Sequence, residues 1–113
     1  MIEVGMTHTV EKTVTADMTA KAVGSGGLEV LGTPYMMGLM ECAAMWCVQN
    51  ELPEGKGTVG VEIASSHLAP TPVGMKVTAS DAEGLIGEGT HTRAVIDNAR
   101  FLQKCNDKLA RMQ

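Results

Sequence analysis

From Val30 to Asn50 a single side chain carries a charge, Glu41. A carboxylate among apolar neighbours is costly to bury unpaired, and desolvation raises its pKa. A carboxyl group in that state inside a cleft serves as a general base or a nucleophile. The plainer reading puts Glu41 on the one wet face of a helix. Thr33, eight positions earlier, precedes Pro34, and helix capping alone is enough to explain it. His67 follows Ser65 and Ser66 and comes just before a proline-bounded turn, a place at the rim of a sheet. It is either a proton-transfer group or an ordinary surface histidine. His91 and Arg93 share one face of a later strand. Arg93 has the fork geometry to hold a phosphate, or it makes a simple ion pair.

Other patterns carry less chemistry. The run Gly84-Leu85-Ile86-Gly87-Glu88-Gly89 looks like a phosphate loop but lacks the strand-then-helix setting and the Lys-Ser/Thr ending. Met36, Met37, Met40 and Met45 recur at helical spacing and read as core packing. Cys42, Cys47 and Cys105 are odd in number and lack metal-ligand spacing. They imply neither a disulfide framework nor a zinc site, and they fit a reducing, cytoplasmic compartment.

The elements that must position these groups follow from local pattern. Met6 to Ala16 alternates Thr and Val as a strand does, and Asp17 to Gly27 is a small, polar loop ending in Gly24-Ser25-Gly26-Gly27. Thr33 as N-cap and Pro34 at the first helical position open a helix that runs to about Asn50. Being apolar on nearly every side, it should be buried all round. Thr58 to Leu68 is a strand with Val59, Val61, Ile63, Ser65 and His67 on one face. Val73 to Ser80 and Leu85 to Ile96 are two more. Asn98 to Arg111 is an amphipathic helix with Phe101, Leu102, Cys105 and Leu109 as its apolar side. A helix apolar all round needs a sheet wrapped about it. The expected fold is therefore α+β, an antiparallel sheet around one long helix with a short C-terminal helix.

At 113 residues the chain is one domain, 1–113, with room for one modest core. Apolar residues make up 44% and charged residues 19%, a globular composition. Net charge is −4 and the basic residues are scattered, which argues against a nucleic-acid binder, where a basic stripe is expected. Glu41 in the centre of the longest apolar stretch argues against a membrane span, and the polar N-terminal residues do not read as a signal core. An open sheet edge calls for a two-fold mate, so a homodimer is expected.

Gly32-Thr33-Pro34-Tyr35-Met36-Met37-Gly38-Leu39-Met40-Glu41, then Gly60, Ser66-His67, Thr71-Pro72-Val73-Gly74 and Gly87-Glu88-Gly89-Thr90-His91-Thr92-Arg93 appear in this order. Taken together they resemble the hotdog-fold thioesterases of the fluoroacetyl-CoA thioesterase-like family. The resemblance implies a homodimer, or a pair of such dimers, that hydrolyses an acyl-CoA thioester without metal or cofactor. It gives Thr33, Glu41 and His67 the catalytic roles, sets Gly60 beside the acyl group and puts Arg93 in the substrate-binding region, near the CoA portion. Glu41 would be base or nucleophile. The fluoroacetyl-specific form carries bulky aromatic residues in a lid before its threonine. Here Gly24-Ser25-Gly26-Gly27 stands in that place, which implies a broader range of small acyl groups. About one hairpin of residues, on the order of twenty, is also missing between Ser80 and Gly84 relative to usual strand lengths, so either the chain is shortened there or its true length is greater. Two other functions fit the same fold, an acyl-CoA hydratase or dehydratase and a non-catalytic acyl-CoA or small-ligand binding dimer.

Two geometric demands follow. On one straight helix, Thr33 and Glu41 stand about 12 Å apart in rise and about 80° apart in rotation, so they cannot touch. Gly60 and His67 lie an odd number of residues apart, so a regular strand sends them to opposite faces. A bulge or a partner subunit must reconcile the second.

Overall fold

The computed structural model describes the chain except for residues 1, 4, 81–86 and 113. The short connection after Ser80, where the missing hairpin is expected, falls on 81–86 and so lies outside the described residues.

The elements run in the order β1 (Thr9–Thr13), α1 (Ala20–Val23), α2 (Thr33–Gln49), β2 (Lys56–His67), β3 (Lys76–Ser80), β4 (Gly87–Asp97) and α3 (Asn98–Arg111). The architecture is α+β with antiparallel strands packed on a central helix, as the hydrophobic pattern predicts. Among the described residues the strands form two ribbons. β1 pairs with β3, Thr9 opposite Ser80 and Thr13 opposite Lys76. β2 pairs with β4, from Lys56 opposite Asp97 to His67 opposite Gly87.

α2 begins at Thr33 because Gly32 is still extended and Pro34 suits the first turn, where its missing N–H costs nothing. Gly32, not Thr33, is the N-cap, and no side chain caps the helix. The expected capping role of Thr33 is therefore corrected, and its hydroxyl is free for another partner. The segment expected as a plain loop before it contains the one-turn α1. Gly24 closes α1 at φ +80°, a left-handed conformation that suits glycine.

The core lies between α2 and the β1–β3 ribbon, with Val14, Leu31, Met36, Leu39, Ala43 and Val77 among its buried side chains. α2 is less covered than its composition predicts. Only Met36, Leu39 and Ala43 of its residues are buried, and Trp46 is 45% exposed. α3 has the predicted boundaries and an apolar stripe, but none of its residues is buried in the chain. Asp97 caps it, accepting a hydrogen bond from the Arg100 backbone N–H at 3.1 Å.

The surface is large for the mass. A folded monomer of 11.9 kDa is expected to expose about 5,950 Å², and this chain exposes 7687 Å². Its radius of gyration is 16.2 Å, where a compact domain of this length gives about 13 Å.

Candidate active site

Two clusters of polar side chains lie along α2, one at its start and one two turns further on. At the start, Thr33 Oγ1 lies 2.7 Å from His67 Nδ1. Thr33 comes from the first turn of α2 and His67 from the last residue of β2. The hydroxyl, unused as a cap, is turned to the imidazole. His67 Nε2 is buried and has no hydrogen-bond partner among the described residues, and the same holds for Ser65 Oγ on the same strand face. A buried nitrogen in that state has hydrogen-bonding capacity to offer a further partner.

Beside this pair opens a pocket of about 310 Å³, lined by Ser25, Val30, Leu31, Thr33, His67 and Leu68 among others. Ser25 belongs to the glycine-rich segment that follows α1. The pocket therefore has Thr33 and His67 in its wall, with Ser25 of the glycine-rich segment beside them.

The second cluster surrounds Glu41. Its Oε2 lies 3.6 Å from Arg93 Nη1 and 4.0 Å from His91 Nε2. The expectation of a largely buried Glu41 is not met. The side chain is 42% exposed, and its neighbours are basic groups of β4 rather than an apolar wall. Gly60 makes room for it. A Cβ on Gly60 would lie 2.7 Å from Glu41 Oε2, 3.0 Å from His91 Cε1 and 3.5 Å from Arg93 Nη1.

Arg93 turns inward. Its Nε donates to Thr58 Oγ1 at 2.8 Å and its Nη2 to the Thr58 carbonyl at 2.9 Å. With only 14% of the side chain exposed, the guanidinium faces Glu41.

Gly60 and His67 both face α2, one at Glu41 and the other at Thr33. A shift of register between Gly60 and Glu62 leaves Val61 as an extra residue, a β-bulge, and cancels the odd spacing. The same bulge corrects the single face expected from Val59 through His67, because Val61 is turned out and is 60% exposed. Thr33 and Glu41, as their separation on the helix requires, share no partner among the described residues. His91 and Thr58 escaped a role in the sequence reading. Alternation on β4 puts His91 beside Arg93, but which charge the pair would meet was not readable.

Among the described residues no group of three or more His, Cys, Asp or Glu could hold a metal ion, and no helix is long and apolar enough to cross a membrane.

The family described as fluoroacetyl-CoA-specific thioesterase matches residues 14–80, more than half of the chain. The chain belongs to that family. A fluoroacetyl-CoA thioesterase of Streptantibioticus cattleyicolor is 36% identical, over 71% of this chain and 70% of the relative. The solved structure of the fluoroacetyl-CoA thioesterase FlK superposes with a TM-score of 0.86 at 30% identity, covering 96% of this chain and 98% of that one. A Thermus thermophilus member of the thioesterase superfamily, 24% identical, has the same fold, with a TM-score of 0.86 over 99% of this chain and 96% of the other. The fold is that of the hotdog thioesterases. The Streptantibioticus alignment is 98 residues long and takes in 71% of this chain's 113, about 80, so about 18 positions of the relative have no counterpart here.

Proposed function

We propose that this thioester hydrolase cleaves a small acyl-CoA to the free acid and CoA, with Thr33, Glu41 and His67 as the catalytic set. The observation that carries the reading is the Thr33–His67 hydrogen bond at the mouth of a pocket, with His67 Nε2 unpartnered among the described residues. Water adds to the thioester carbonyl, the C–S bond breaks, and the sulfur leaves as a thiol after taking a proton. Thr33 orients the carbonyl or the water. His67 supplies or orients the proton through Nε2. The N-terminus of α2 offers unpaired backbone N–H groups and a positive dipole end for the developing oxyanion. Glu41 either takes the proton of the attacking water or attacks the carbonyl itself, forming an anhydride that water then opens. Both routes give the same products.

Gly60 and Arg93 belong to the acyl side of this site, against the Glu41 carboxylate. The inward turn of Arg93 supports that side over the CoA phosphates. Ser25 in the pocket wall, in place of a bulky aromatic lid residue, supports a range of small acyl groups rather than one fluorinated group.

The active form is a homodimer. Within one chain the two clusters share no residue, α2 and α3 leave apolar side chains open, and the surface exceeds a compact monomer's by about 1,700 Å². Counted over both partners of a dimer that is about 3,400 Å², the scale of an obligate homodimer interface. The site lies near the interface, and the mate completes it. The expected compartment is the reducing cytoplasm, where Cys42, Cys47 and Cys105 form no disulfide. Release of free CoA from a panel of short acyl-CoAs tests the reaction, and sedimentation at micromolar concentration tests the dimer.

A further inference from the structure

β4 turns His91 toward α2 with its side chain only 9% exposed. The ring is held at both nitrogens. Nδ1 lies 3.0 Å from the Glu62 carbonyl oxygen, which can only accept, so Nδ1 carries a proton. Nε2 lies 3.0 Å from Arg93 Nη1. A guanidinium only donates and does not give up its charge, so Nε2 must offer a lone pair. Both hydrogen bonds select the same neutral form, protonated on Nδ1; the Glu41 carboxylate, which would favour an imidazolium, lies 4.0 Å from Nε2, beyond hydrogen-bond reach. An imidazolium would set one N–H against another.

This fixes the third corner of Arg93. Thr58 holds Nε and Nη2, and His91 holds Nη1. The guanidinium then has no freedom to turn, and Nη1 stays 3.6 Å from Glu41 Oε2. We propose that His91 is a positioning residue for Glu41: by accepting from Arg93 Nη1 it locks the guanidinium that keeps the Glu41 carboxylate in the space beside Gly60. The proposal rests on the reading of Glu41 as the acting carboxylate.

Two variants separate positioning from simple packing. His91→Leu fills similar space without an acceptor, and His91→Gln returns one. Misplacing a reacting group by a fraction of an ångström lowers turnover rather than binding, so His91→Leu is expected to lose about 10-fold in kcat with KM within about 2-fold. His91→Gln is expected to recover to within about 3-fold of the parent. An unchanged kcat in His91→Leu overturns the proposal, as does an equal loss in both variants. A third measurement needs no variant. Nitrogen-15 NMR of the unmodified protein at pH 7.5 is expected to show His91 as the neutral Nδ1–H tautomer. An Nε2–H tautomer or an imidazolium overturns the proposal even if His91→Leu does not fold. If the unmodified protein releases no CoA from any acyl-CoA, the thioesterase reading fails instead, and the tautomer still decides whether the lock on Arg93 exists.

Discussion

The carboxylate of Glu41 occupies the space that a side chain on Gly60 would fill. A Cβ there would lie 2.7 Å from Oε2, closer than real contacts allow. The nearest obstructing atom is the end of a flexible side chain, so the carboxylate gives way, while the His91 ring, 3.0 Å from that Cβ, shifts by a few tenths of an ångström. Gly60→Ala is therefore expected to leave the melting temperature within a few degrees while kcat falls at least about 10-fold, because the acting group is displaced. A fully active Gly60→Ala would show that the position of Glu41 is not critical.

Thr33 and His67 are coupled by one hydrogen bond, and their substitutions should report that coupling. Thr33→Ala and His67→Ala are each expected to lower kcat by about 10²-fold or more, the range of proton-transfer and orienting groups. The double variant should lose little beyond the worse single one, because groups that act as a unit are not additive. Thr33→Ser keeps the hydroxyl and should retain most of the activity. Fully multiplicative losses would mean that the pair does not act together.

The sequence made some of this legible and hid the rest for identifiable reasons. Glu41 stood out as the one charge between Val30 and Asn50, and Pro34 marked the start of the helix. The odd spacing of Gly60 and His67 required a bulge or a partner, and the register shift at Val61 is that bulge. The surroundings of Glu41 were not legible, because its basic neighbours come from β4, some fifty residues later in the chain. Composition suggested an apolar wall where tertiary structure supplies Arg93 and His91. Thr33 fitted a local capping rule that Gly32 fulfils instead, and only the fold could bring His67 to its hydroxyl.

Asp97 links β4 to α3. Hydrogen bonding from the Arg100 backbone N–H holds its carboxyl below the ordinary value of 3.8, with Lys56 adding to the effect. A depressed pKa in the folded state gives stability that is present above the unfolded value and is lost as pH falls through the folded one. The helical signal of α3 is therefore expected to be steady down to about pH 4 and to decline below it. Asp97→Ala should weaken the helix at neutral pH and flatten that acid decline. An acid decline unchanged in Asp97→Ala would assign it to other groups.

The surface in excess of a compact monomer predicts association. Sedimentation velocity at micromolar concentration is expected to show a dimer, with fluorescence of Trp46 shifted to the blue relative to a diluted sample as its indole leaves water. A monomer that retains full activity would contradict a site completed by its mate.

The most direct test of the central claim is the release of free thiol from acetyl-, fluoroacetyl-, propionyl- and butyryl-CoA by the purified protein and by Glu41→Ala. The account predicts release from more than one of these substrates and a fall of at least about 10²-fold in Glu41→Ala. No release from any of them, with acyl-CoA still bound, would make the protein a ligand-binding dimer, and undiminished release by Glu41→Ala would remove Glu41 from the reaction.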